Sequence, residues 1–156
     1  MLQNIMAVVA TLHILSVIVW IGGMFFAHMA LRPVVANLLE PPIRLQVMAQ
    51  VLERFFLWVW IAVILLWATG LWIIFGFFDG MASIRISVHI MFSLAAIMTA
   101  LYIYIYFVPF PNLKLAISTE DFKQAGQHLA KIRSIIGFNL LLGIITVIIA
   151  TGGRYF

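Results

Sequence analysis

An all-α fold, a bundle of four transmembrane helices, is what this 156-residue sequence predicts. Three observations carry that expectation. Hydrophobic residues make up 65% of the chain and charged ones 9%, with a mean hydropathy of +1.17. A soluble domain is about half apolar and a quarter charged, so this chain lacks the polar side chains to cover a water-facing surface. The apolar residues gather into four uninterrupted stretches, each near the roughly 20 residues that span a bilayer as helix. Their length and lack of strict alternation argue against barrel strands.

The first stretch covers residues 5–31 and contains no Asp, Glu, Lys or Arg. It does not read as a cleaved signal peptide, because no Lys or Arg precedes it and it is longer than such a segment's apolar core. The second covers 55–78, the third 86–110 and the fourth 134–153, all within one integral-membrane domain, 1–156. Pro33, Pro41, Pro42, Pro109 and Pro111 fall outside or at the ends of the stretches, as expected of a residue that lacks an amide donor. Trp58 and Trp60 near one end of the second stretch, and Trp72 near the other, fit interfacial belts.

Four spans put both termini and the second loop on one face, with Arg85 and Arg154; the opposite face holds Arg32, Arg44, Arg54, Lys114, Lys123, Lys131 and Arg133. This asymmetry predicts an N-out, C-out topology with the first and third loops cytoplasmic. In the third loop, Ser118 to Asp121 reads as a helix start. Phe122, Ala125, Leu129 and Ile132 follow at helical spacing, with His128 among them. They predict a short amphipathic helix on the cytoplasmic interface between helices 3 and 4.

Some functions are excluded. Nine Lys and Arg against five acids make no basic stripe for nucleic acid. There is no cysteine, hence no disulfide or thiolate chemistry. No nucleophile–base pair, carboxylate pair or phosphate loop is present.

Ionisable residues in hydrocarbon are costly and mark function. His13, His28 and His89 lie inside the apolar stretches. Helices 1 and 3 run in the same direction, which puts His13 and His89 at similar depth. His13 to His28 and His89 to Tyr104 are each 15 residues. In a regular helix that spacing gives nearly one face and a separation of roughly 22 Å. An upper rung of His13 with His89 and a lower rung of His28 with Tyr104 follow.

Two facing imidazoles suit a bis-histidine haem b, for electron transfer or redox chemistry. If an enzyme, the protein is then a haem-dependent membrane oxidoreductase with a redox partner of its own. Arg85, one turn from His89, is placed to pair with haem propionates, with Arg154 the competing cation. Gly22, Gly23 and Gly70 allow a neighbouring helix or flat ring to approach. A second reading adds the thioethers of Met6 and Met24 to the histidines as a Cu(I) ladder, for copper transport or resistance. A third is a cofactor-free accessory subunit whose histidines only hydrogen-bond within the bundle. Asn139, Gly143 and Thr146, on one stripe of helix 4, offer a packing surface inside the bundle or a homodimer contact.

The segment Leu12-His13-Ile14 through Trp20-Ile21-Gly22-Gly23-Met24-Phe25-Phe26, with Leu31-Arg32-Pro33, resembles the opening helix of the CopD (copper resistance protein D) family. Glu40-Pro41-Pro42 with Arg44, Arg54-Phe55-Phe56 with Trp58-Val59-Trp60, Val88-His89, Tyr106-Phe107-Val108-Pro109 and Arg133 with Asn139-Leu140 and Gly143 extend the likeness over most of the chain. A more distant likeness is to HemJ-type protoporphyrinogen oxidases. These resemblances imply a bacterial inner-membrane bundle, with copper handling from the first and haem b with porphyrin redox chemistry from the second. Both point to His13 and His89. The pattern departs at Tyr104, where relatives often carry His.

Overall fold

The computed structural model describes residues 2–78 and 80–152. Four long helices account for nearly all of them: α1 (Gln3–Leu38), α2 (Pro41–Phe77), α3 (Ile86–Ser118) and α4 (Phe122–Gly152). No strand occurs among the described residues. The all-α, four-span expectation therefore holds.

The connections follow from local chemistry. Leu39 and Glu40 leave helical geometry (Glu40 φ −61°, ψ 151°) because the residue before a proline is pushed to extended backbone. Pro41 and Pro42 then start α2, where a missing N–H costs nothing. Gly80, at φ 111°, turns the chain between α2 and α3 in a conformation that favours glycine. Val108 interrupts α3 (φ −115°, ψ −76°) just before Pro109, setting Pro109–Ser118 off as a final helical segment. Asp121 caps α4: the Gln124 N–H donates to its Oδ1 at 3.0 Å.

Every pair of neighbouring helices is antiparallel. His13 meets Thr69 while Gly23 meets Phe55, so α1 lies against α2. Ile21 meets Gly143 while His28 meets Gly137, so α1 also lies against α4. Trp67 contacts Phe92 and Trp60 contacts Tyr102, joining α2 to α3. Asn139 reaches the Met98 carbonyl, joining α3 to α4. Helices α1 and α3 are thus diagonal, and Trp20 and Tyr102 touch across the centre with ring centroids 6.3 Å apart. We call the end holding Leu2 and Gly152 the terminal end and the other the basic end.

The helices are longer than their apolar stretches. At 31 to 37 residues they run ~46–56 Å, against ~30 Å of hydrocarbon. At the terminal end they stop close to the expected boundaries. At the basic end each continues 7 to 14 residues further. Those extensions continue the bundle's core, with Val35, Leu45, Met48, Leu52, Leu113, Ala125, Leu129 and Ile132 buried. This corrects the short interfacial helix expected between helices 3 and 4. Its residues are helical, but they form the first turns of α4, and their apolar stripe packs on Pro109–Ser118 rather than on lipid. Trp60 packs against Tyr102 and Tyr106. Trp58 is exposed.

Candidate metal-binding site at the terminal end

Helix α1 is not a regular α-helix. It widens into π-turns at Ile18–Gly22 and Ala27–Leu31. A π-turn holds one residue more than the α-turn it replaces, so everything beyond it is rotated about the axis. The single face predicted for His13 and His28 is therefore split. His13 faces α2, next to Thr69 and Gly70, whereas His28 faces α4, against Gly137. The proposed ladder of Met6, His13, Met24 and His28 divides in the same way. Met6 precedes both π-turns and shares the face of His13, two turns and ~10 Å away. Met24 lies between them and is 2% exposed within the central core.

His13 is the histidine whose ring has a hydrogen-bond partner among the described residues. Its Nδ1 lies 2.8 Å from Oγ1 of Thr69. The Thr69 hydroxyl has one proton, and the Leu65 carbonyl one turn back on α2 is within reach to take it. In that arrangement Thr69 accepts from the imidazole and His13 carries its proton on Nδ1; the reverse direction puts the proton on Nε2. With the proton on Nδ1 the lone pair is left on Nε2, a form in which imidazole binds a metal. Gly70 lies beside the ring: a Cβ there would stand 3.5 Å from Cε1 of His13, in ordinary van der Waals contact. Thr69 was not singled out in the sequence, although a buried hydroxyl beside a glycine in an apolar stretch is the available signal.

His89 sits in the first turn of α3, half-buried, and its carbonyl accepts from the Ser93 hydroxyl at 3.0 Å. Trp67 of α2 touches Phe92 and donates to Oγ1 of Thr99, which fixes the register of α2 against α3. The level of Thr69, and so of His13, falls near Ser93. His89 is then about one turn, ~6 Å, further toward the terminal end. The similar depth expected for the two histidines is thus offset, and they stand on diagonal helices. Arg85 is exposed at the start of α3, one turn before His89. Arg154 and Gly153 lie outside the described residues.

The lower rung is not assembled. Tyr104 is 37% exposed on the outside of α3, with the Lys131 ammonium 5.3 Å from its ring centre. Positions 131 and 137 of α4 differ by six residues, about 120° around the helix, so Tyr104 and His28 meet different sides of it. His28 shares its crevice with Arg32 and Arg133, whose charges oppose a metal cation.

Asn139 and Gly143 do not form an outer surface. Asn139 is 2% exposed and donates to the Met98 carbonyl at 3.3 Å; Gly143 lies under Ile21 and Met98. The homodimer contact expected on this stripe is unavailable at those two positions. Thr146 is half-buried and bonds within its own helix to Leu142. An open groove of about 850 Å³ between α2 and α3 is lined by Leu57, Trp60, Phe107 and Phe110. Its charged residues, Lys114 and Glu53, pair with each other at 2.7 Å.

Among the described residues, no three of His, Asp and Glu converge as a metal cage. What the terminal end offers is one oriented imidazole, a second a turn away across the bundle, and a thioether further out.

A family model described as copper resistance protein D matches residues 49–152. The match includes Thr69, Arg85, His89 and Tyr104, and begins after His13 and His28. No curated protein and no solved structure gives a match. With about two thirds of its length inside that match, the chain belongs to the CopD (copper resistance protein D) family.

Proposed function

We propose that this protein handles copper in a membrane, and that His13 is the residue that takes the ion at the terminal end. Copper is the cargo in this reading rather than a resident cofactor. Family membership supports the metal. The observation that carries the residue is the contact of His13 Nδ1 with Thr69, itself within reach of the Leu65 carbonyl; with the proton on Nδ1, Nε2 is the atom that would donate to the metal.

The donors suit Cu(I). Imidazole and thioether are ligands this soft ion accepts, and His13, His89 and Met6 are spaced along the terminal end rather than gathered around one point. An ion held by few donors at a time is easily passed on. The excess of Lys and Arg at the basic end supports placing that end in the cytoplasm of a bacterium and the terminal end outside its inner membrane. Copper then meets His13 from the extracytoplasmic side.

The haem b expected between His13 and His89 has less behind it: His13 is held by α2, and His89 is offset by about a turn on the diagonal helix.

The test is the metal content and visible spectrum of the purified protein, with and without Cu(I) loading. Copper retained by the native protein and lost from His13→Ala supports the proposal. A Soret band in protein purified without added metal replaces it with the haem reading. Neither copper nor haem leaves the cofactor-free accessory subunit.

A further inference from the structure

Three arginines converge at the basic end. Arg32 and Arg133 line one small crevice, together with His28, Met48, Leu52 and Ile136. Arg44 reaches back over the α1–α2 connection to the Ala36 carbonyl at 3.4 Å, and the charge on Arg133 is disfavoured first by burial and then by Arg32 and Arg44. All three are half-buried. Glu40, in the turn between Arg32 and Arg44, is exposed and pairs with none of them. The only ion pair among the described residues is Lys114 with Glu53, elsewhere in the fold. The Nε of Arg133 is buried without a hydrogen-bond partner.

Like charges partly withdrawn from water and lacking a counter-ion are unfavourable, and a buried donor without an acceptor adds to the cost. The arrangement asks for an anion with several acceptor oxygens. Arginine is the residue best shaped to hold a phosphate, with parallel N–H groups matched to paired oxygens.

Depth points to the source of that anion. Arg32 directly follows the first apolar stretch and Arg133 directly precedes the fourth. The crevice mouth therefore stands at the edge of the hydrocarbon, where lipid phosphates lie and where basic pockets between spanning helices take anionic headgroups.

We propose that Arg32, Arg44 and Arg133 form a binding site for a phosphate-bearing anion at the basic end, occupied in the membrane by an anionic lipid headgroup. Bound there, the anion ties the α1–α2 connection to the start of the fourth apolar stretch and neutralises the three guanidiniums. The site is separate from the copper reading, about half the length of α1 away from His13, and stands or falls without it.

The experiment is thermal unfolding of the full chain in phosphatidylcholine nanodiscs. One series contains increasing phosphatidylglycerol; another receives inorganic phosphate, with equal ionic strength kept by chloride. The expected result is a saturable rise of several degrees with phosphatidylglycerol that is at least halved in Arg133→Gln and in Arg44→Gln. Lys123→Gln, on the exposed side of α4, keeps the full rise. A saturable rise with inorganic phosphate alone, lost in the same two variants, keeps the anion site and assigns it to free phosphate. No rise from either, or a rise equally large in Arg44→Gln and Arg133→Gln, overturns the proposal. So does a rise lost equally in Lys123→Gln, which would mark general surface charge. Because Arg133→Gln could fold poorly, Arg44→Gln and a count of retained phosphatidylglycerol by native mass spectrometry decide the matter independently.

Discussion

Nδ1 of His13 and Oγ1 of Thr69 stand 2.8 Å apart across the α1–α2 interface, with the Leu65 carbonyl also within reach of the hydroxyl. This single bond couples the one oriented imidazole of α1 to a helix that the family match covers. An outer hydrogen bond of this kind typically changes metal affinity by about 10- to 100-fold. Thr69→Val, which keeps the shape and removes the acceptor, should weaken copper retention by about that factor while the protein stays inserted. Thr69→Ser should restore most of it. Copper affinity unchanged in Thr69→Val would show that His13 does not bind through the tautomer protonated on Nδ1.

Two adjacent glycines should behave oppositely. A Cβ at Gly23 collides with the Phe55 ring, whereas one at Gly22 meets nothing within 4 Å. Gly23→Ala should therefore cost about 1–3 kcal/mol through overpacking. Gly22→Ala should be neutral or stabilising by up to about 1 kcal/mol, the usual gain of alanine over glycine in a helix. Unfolding midpoints in detergent check this, and equal effects of the two substitutions would contradict the packing of α1 on α2.

Copper content should not respond to the lower residues. His28 shares its crevice with two arginines, and Tyr104 lies outside the bundle beneath Lys131. His28→Ala and Tyr104→Phe should each retain the native copper stoichiometry by elemental analysis. Loss of one copper per chain in either would establish a second centre there.

Orientation is tested by fusion. The seven-to-two distribution of Lys and Arg predicts the terminal end outside the cytoplasm. A C-terminal alkaline phosphatase fusion should be active, and a C-terminal green fluorescent protein fusion dark. The opposite pattern reverses the topology and moves His13 to the cytoplasmic side.

The four spans were legible because each apolar stretch is long and free of Asp, Glu, Lys and Arg over most of its course. Their terminal-end boundaries were legible for the same reason: the stretches stop there. Their basic-end boundaries were not, because 41–54 and 122–133 carry charges at helical spacing, and that pattern suits an interfacial helix and a water-exposed helical extension equally well. The partner of His13 was hidden because Thr69 is far away in sequence and belongs to no motif. The face of His28 was misread for a different reason. A π-turn has no sequence signature in Ile18–Gly22, yet it alters the phase of every residue after it. A spacing of 15 residues keeps its meaning only while the helix is regular.

The continuation of the core into the basic end gives this bundle two solvents. Between helices inside lipid there is little hydrophobic drive, and close packing with hydrogen bonds does the holding. Leu113, Ala125 and Ile132 are buried in extensions that reach past the hydrocarbon, where water supplies that drive. Urea, which weakens apolar burial from water, should consequently loosen the molecule from one end only. The helices then part at the α1–α2 and α3–α4 connections and remain joined around His13 and Thr69, so that denaturant acts along the membrane normal.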